Sequence, residues 1–76
     1  MGALADPIEF ETTEDGTVPA GAIKISFYND GTSVAIVNGV RLKVGKATNF
    51  GFTGKPYRAI DYKTNGTTLF IRYTIW

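Results

Sequence analysis

Apolar and polar residues alternate along most of the chain, which is the period of a β-strand with one buried face. The clearest alternations run through residues 23–27, 40–44 and 69–75. No segment sustains the 3.6-residue period of an amphipathic helix, and glycine or proline interrupts the chain too often for a long helix. The pattern therefore predicts an all-β protein.

Turn-forming residues separate the alternating segments. Asn38-Gly39 is the strongest hairpin signal, because a two-residue type I′ turn needs positive φ at both positions. Residues 29–31 and 64–66 predict further turns, and Val18-Pro19-Ala20-Gly21 precedes the second strand. About six or seven short strands follow, at residues 7–13, 22–29, 33–37, 40–44, 47–53, 57–62 and 67–75. This spacing predicts a compact antiparallel β-sandwich or small barrel.

The chain is short for a self-sufficient fold, with 76 residues and neither cysteine nor histidine. A single core in a domain below roughly 70–80 residues rarely supplies more than about 3–5 kcal/mol of net stability. Disulfides and thiolate metal sites are excluded by composition, so association with other chains is the remaining source of stability. We therefore expect a homo-oligomer or a protein that docks on a larger assembly.

Charge is distributed unevenly although the net charge is only +1. Residues 1–30 hold six acids against one base, a balance of −5, and residues 31–76 hold seven bases against one acid, a balance of +6. We divide the chain into an acidic N-terminal arm with the first strand (1–17) and a β-sandwich domain (18–76), within one domain overall. The arm either completes its own sheet or pairs with the basic surface of a neighbouring copy.

Enzymatic activity is not expected. Histidine and cysteine catalysis are excluded by composition, and the two serines, Ser26 and Ser33, lack a nucleophile setting. The acids near residues 9–15 lack the spacing of a calcium loop, and the Gly54-Lys55-Pro56 segment cannot open the helix of a phosphate-binding loop. We expect no cofactor and no metal.

Membranes and nucleic acids are not expected partners. No stretch of 18 apolar residues is present, and the first six residues lack the basic start of a signal peptide, which predicts a soluble, unprocessed chain made in the cytoplasm. Aromatic and basic residues interleave near the C-terminus, as in single-strand binders. The small net charge and the core-facing parity of Tyr62 and Tyr73 make nucleic acid an unlikely ligand.

Several residues are candidates for contact with other proteins. Phe70 has the opposite parity to the core set of its strand, and Trp76 is the last residue, so its side chain either folds onto the core or inserts into a neighbour. Arg72 on the basic side and Glu9 and Glu11 in the acidic arm are the candidate charged contacts.

The order of strands and turns between residues 18 and 75 resembles small all-β structural proteins of tailed-bacteriophage virions. The likeness is carried by Val-Pro-Ala-Gly-Ala (18–22), Tyr-Asn-Asp-Gly-Thr (28–32), Val-Asn-Gly-Val (37–40), Leu-Lys-Val-Gly-Lys (42–46), Tyr-Arg-Ala-Ile-Asp-Tyr (57–62) and Asn-Gly-Thr-Thr-Leu (65–69). Such proteins occupy capsids, necks or tail appendages in many copies and are not enzymes. The resemblance implies a virion location and capsid or tail proteins as partners.

Two functions are therefore open. The first is a structural protein of a phage virion that binds neighbouring capsid or tail subunits as a decoration, vertex or appendage component. The second is a β-sandwich recognition module for carbohydrate or a host-surface ligand, in which Tyr57, Tyr62 or Trp76 would stack on the ligand.

Overall fold

Two four-stranded antiparallel sheets form the whole of the regular structure in the computed structural model, which describes residues 6–51 and 54–75. The expected all-β sandwich is thereby confirmed, with eight strands where about six or seven were predicted. The strands are β1 (Asp6–Thr12), β2 (Gly16–Val18), β3 (Ala22–Asn29), β4 (Ala35–Val37), β5 (Val40–Leu42), β6 (Ala47–Phe50), β7 (Ile60–Lys63) and β8 (Leu69–Ile75). The described residues contain no helix that could cross a membrane.

Each sheet has two central strands and two edge strands. Sheet A has the order β1-β8-β3-β6, and sheet B has the order β2-β7-β4-β5. Every paired neighbour is antiparallel. The first strand thus pairs with β8 of its own chain, over the full length from Asp6 to Thr12.

The core lies between the sheets and is filled by alternate residues of both. Phe27, Leu69 and Ile71 have no exposed surface and come from the two central strands of sheet A. Sheet B supplies the opposite layer, which consists of Val18, Ala35, Val37, Leu42, Ile60 and Tyr62. Because the period of two sends every second side chain inward, the alternation in the sequence predicts this core directly.

Expected strands 7–13, 33–37, 40–44 and 67–75 differ from β1, β4, β5 and β8 by one or two residues at an end, and three differences are larger. β2 was not predicted, because its three residues Gly16-Thr17-Val18 contain a single buried apolar side chain. The segment expected at 47–53 is a strand only to Phe50, with residues 52–53 outside the described part. The segment expected at 57–62 begins only at Ile60, because Tyr57 instead exchanges backbone hydrogen bonds with Gly21 and Ala22.

The Asn-Gly turns adopt the backbone that their sequence predicts. Asn38 and Gly39 have φ values of 52° and 78° and join the paired strands β4 and β5, as a type I′ hairpin requires. Asn65 and Gly66 have φ values of 51° and 82°, and Thr67 N–H donates to the Thr64 carbonyl across them at 3.0 Å. This second turn carries the chain from sheet B to sheet A.

A buried asparagine ties one end of the sandwich together. Asn29 has no exposed surface, and its Nδ2 donates to the carbonyls of Ser33 (2.7 Å) and Leu42 (2.8 Å). Its Oδ1 accepts from Thr67 Oγ1 at 2.7 Å and from Gly31 N–H at 3.2 Å. All four hydrogen-bonding positions of the amide are therefore used, as burial of an amide demands.

The backbone of Asn29 fixes the connection between β5 and β6. Its N–H donates to the Lys46 carbonyl at 3.0 Å, and its carbonyl accepts from Gly45 N–H at 2.9 Å. With the bond from Nδ2 to Leu42, one residue of sheet A thus holds the end of β5, the β5–β6 connection and the start of β6.

Thr64 holds the connection between β1 and β2 in the same way. It is buried; its Oγ1 donates to the Thr13 carbonyl at 2.8 Å, and its N–H donates to Asp15 Oδ1 at 2.9 Å. Since Thr64 and Thr67 belong to one tight turn, that turn links the Asn29 network to the β1–β2 connection.

Gly31 is required by close packing in the Asn29 network. A Cβ at this position would overlap Thr67 Oγ1 and the backbone nitrogen of Thr68. A side chain here would displace the hydroxyl that Asn29 Oδ1 accepts from. The glycine of the Asn29-Asp30-Gly31 turn therefore serves close approach, and its φ is not positive.

We predict that Asn29→Ala lowers the free energy of unfolding by about 2–5 kcal/mol, because each buried partner left unsatisfied costs about 1–3 kcal/mol. Denaturant unfolding followed by far-ultraviolet circular dichroism measures the change. Asn49→Ala is the matched control; Asn49 is exposed, and its loss should cost about 0.5 kcal/mol or less. Equal effects of the two substitutions would contradict the role given to Asn29.

Candidate interaction surfaces

The outer face of sheet A brings together four of the residues expected to contact other proteins. The side chains of β8 that alternate with buried Leu69 and Ile71 point away from the core, which places Phe70 and Arg72 on this face. Glu9 and Glu11 of β1 lie beside them, because the register pairs Glu9 with Arg72 and Glu11 with Phe70. We call this surface the outer face.

An aromatic row crosses the middle of the outer face. The register aligns Glu11, Phe70, Tyr28 and Ala47 across the four strands β1, β8, β3 and β6. Phe70 is partly exposed and Tyr28 is 39% exposed, so two neighbouring aromatic side chains face solvent on the two central strands. Tyr28 was not predicted as a contact residue; its parity, opposite to buried Phe27, was the available signal.

A polar row lies beside the aromatic row. Here the register aligns Glu9, Arg72, Ser26 and Asn49. Arg72 Nε lies 3.1 Å from Glu9 Oε1, and Ser26 Oγ donates to Asn49 Oδ1 at 2.7 Å. The acidic arm and the basic part of the chain thus meet within one molecule at this pair. Because both ionic side chains are more than half exposed, the pair adds only about 0–1 kcal/mol to stability.

Tyr62 is not placed to stack on a ligand. It is 7% exposed and belongs to the core, where its ring centroid lies 5.8 Å from that of Phe27. A Cβ on Gly16 would lie 2.6 Å from the Tyr62 hydroxyl, so β2 covers the end of this ring as well. Burial, with a smaller contribution from Tyr73, raises the pKa of the Tyr62 hydroxyl above its ordinary value of 10.0.

Tyr57 is half-buried and lies at the rim of the same aromatic group. Its ring meets Phe50 edge to face, with centroids 5.8 Å apart, and Phe50 in turn packs on Phe27. Its hydroxyl donates a hydrogen bond to the Gly51 carbonyl. The ring therefore serves mainly to close the core beside β6. Trp76, the third stacking candidate and a candidate contact, lies outside the described residues.

The acidic residues do not converge on a cation site in the described ranges 6–51 and 54–75. No group of three such residues there could hold a metal ion.

Comparison with protein-family models, curated proteins and solved structures gives no match for this chain. Function therefore has to be argued from the surfaces themselves.

We predict that Tyr62 ionises late in an alkaline titration followed by absorbance, and that Tyr62→Phe removes this late step. Since the folded-state pKa exceeds the unfolded one, stability is intact below about pH 10 and is lost as the pH rises through the folded-state pKa. Tyr62→Phe should reduce that loss. Tyr57→Phe is the control and should keep the late step; if it removes the step instead, the burial assignment is wrong.

Proposed function

We propose that this chain is a non-enzymatic structural protein of a tailed-phage virion, which attaches to a larger capsid or tail subunit through the outer face. The observation that carries the proposal is the aromatic pair on the two central strands of sheet A, formed by exposed Tyr28 and partly exposed Phe70. The virion assignment is supported by the resemblance of residues 18–75 to small all-β virion proteins.

The outer face has the composition of a protein-binding patch. Interfaces are enriched in aromatic residues at the centre and polar residues at the rim. Phe70 and Tyr28 supply the aromatic centre, and the Glu9–Arg72 ion pair supplies part of a polar border on one side. The aromatic side chains stand on antiparallel strands held by neighbours on both sides, so little ordering is required when a partner binds.

The presence of many copies on one particle would compensate for weak binding by a single patch. The exposed aromatic area of one copy is small, and a single attachment of this size is expected to be weak. On a symmetric particle, neighbouring copies that also touch one another raise the effective concentration of every attachment. A small module with one modest binding face suits a component present in many copies.

The alternative function, recognition of a carbohydrate or host-surface ligand, has less support from the two tyrosines that were expected to stack on the ligand. Stacking on a sugar needs an open aromatic face. Tyr62 lies in the core, and Tyr57 is half-buried against Phe50. Specific binding of the isolated chain on a glycan array would nevertheless favour this alternative over attachment to a virion.

Attachment can be measured on virions of the source phage from which the gene has been deleted. We predict that added wild-type protein binds these particles at a fixed copy number, and that Phe70→Ser weakens binding about thirtyfold or more, as expected for loss of a central anchor worth about 2 kcal/mol. Ile36→Ser is the matched control, because Ile36 lies on the outer side of sheet B. Absence of the protein from purified wild-type virions, or equal binding of both variants, would contradict the proposal.

A further inference from the structure

The two lateral edges of the sandwich carry opposite charge. One edge, here called the acidic edge, consists of β1, β2 and their connection; residues 6–18 hold five acids and no base. The other, the basic edge, consists of β5, β6 and their connection; within residues 35–50 there are three bases, Arg41, Lys43 and Lys46, and no acid. All eight of these charged side chains are exposed.

The acidic edge remains largely uncompensated within its own molecule. Among the described residues the ion pair of this edge is Glu9 with Arg72, and neither Glu11 nor Glu14 has a cationic partner there. On the basic edge, Arg41, Lys43 and Lys46 likewise have no described acidic partner. Charges of one sign are thus concentrated on each edge, where a complementary surface would be attracted.

Both edges also expose unpaired strand backbone. Within the described residues, β1 pairs only with β8 and β6 only with β3, while β2 pairs only with β7 and β5 only with β4. An edge strand presents a row of free N–H and C=O groups, which is a template for another strand. The two sheets together have four edge strands, and each of them could pair with a strand of another chain.

Strand direction makes the two edges complementary. Because each sheet has four strands and every neighbour is antiparallel, β1 runs opposite to β6, and β2 runs opposite to β5. A second copy displaced sideways without being turned over therefore sets its β1 antiparallel to β6 of the first copy. In the same displacement its β2 comes antiparallel to β5, so both sheets continue across the junction.

An apolar groove lies between the two strands of the basic edge. It has a volume of about 350 Å³ and is lined mainly by Val37, Val40, Leu42, Ala47, Thr48 and Phe50. Val40 has the same parity as buried Leu42 in β5 but is 67% exposed. On the acidic edge, the inward-facing Ile8 and Phe10 of β1 are only partly buried. These are the side chains that would face the groove of the adjacent copy.

We propose that copies of this chain associate head to tail, with the acidic edge of one copy docked on the basic edge of the next. The occupant of the groove is thus the β1–β2 edge of a second copy. The inference deepens the proposed function, since it supplies the contact between neighbours, but it concerns a surface distinct from the outer face. Such a contact is heterologous, so it closes into a ring or continues as a filament.

The charges exclude the simpler two-fold arrangement. A dimer that joined two acidic edges would bring ten acidic side chains together, and one that joined two basic edges would bring six basic side chains together. Like charges across an interface oppose association. Only a contact between an acidic edge and a basic edge brings opposite charges together across the interface.

The experiment is a charge exchange followed by sedimentation of the purified full chain at about 50 mM and about 500 mM salt, since screening increases strongly over this range. The wild-type chain should associate at low salt and dissociate at high salt. Variant one, Arg41→Glu with Lys43→Glu, leaves the basic edge with two acids and one base; variant two, Asp6→Lys with Glu11→Lys and Glu14→Lys, leaves the acidic edge with two acids and three bases. Each alone should be monomeric at low salt, and their mixture should associate again.

If association returns in the mixture, the edges contact each other directly. Variants that were unfolded, or that were affected only through their net charge, would stay monomeric after mixing. Lys24→Glu with Lys63→Glu is the control for variant one, because it makes the same change in net charge on the inner strands β3 and β7 and should leave association intact. A wild-type monomer at low salt, or a mixture that stays monomeric, would overturn the inference. Phe70→Ser should associate normally, so failure of virion attachment and failure of self-association are distinguishable.

Discussion

The buried amide of Asn29 is the interaction on which the arrangement of the strands depends. Its four hydrogen bonds reach the β3–β4 connection, the end of β5 and the turn before β8. A buried amide is stable only when these positions are filled, so any arrangement that leaves one empty costs free energy. In a core this small, that penalty is a substantial fraction of the total and selects one packing of the two sheets.

The same network positions both charged edges. The backbone of Asn29 holds the β5–β6 connection through Gly45 and Lys46, and Thr64 holds the β1–β2 connection through Thr13 and Asp15. The tight turn from Thr64 to Thr67 joins the two sets of bonds. The acids of residues 6–18 and the bases Arg41, Lys43 and Lys46 are thereby placed on opposite sides of the sandwich.

Much of the fold could be predicted because it depends on local rules. Alternation of side chains predicts the inward set of β3 and β8, and Asn38-Gly39 predicts its hairpin through the need for positive φ. The core-facing parity of Tyr62 likewise indicated burial. The short strand β2 could not be predicted, because three residues carry no periodicity and its position depends on pairing with distant β7. The role of Asn29 was equally hidden, since its partners lie up to 38 residues away.

For the surfaces too, features set by the local sequence could be predicted, and features set by contacts between distant residues could not. Phe70 and Arg72 could be assigned outward from their own strand, whereas the pairing of Arg72 with Glu9 depends on a register that spans most of the chain. Tyr28 joins Phe70 only because β3 and β8 are neighbours. Charge asymmetry suggested either neutralisation within the molecule or contact between copies. Among the described residues the structure shows one internal pair, and it leaves the other acids of residues 6–18 and the bases Arg41, Lys43 and Lys46 on opposite edges.

Amide hydrogen exchange of the wild-type chain, compared at low and high salt, tests most directly whether neighbours complete the sandwich at its edges. We expect amides of β1 and β6 to gain protection at low salt, because their free backbone groups become paired, while those of the central strands β3 and β8 change little. Protection of the β1 and β6 amides that is the same at low and at high salt would contradict association through the edges.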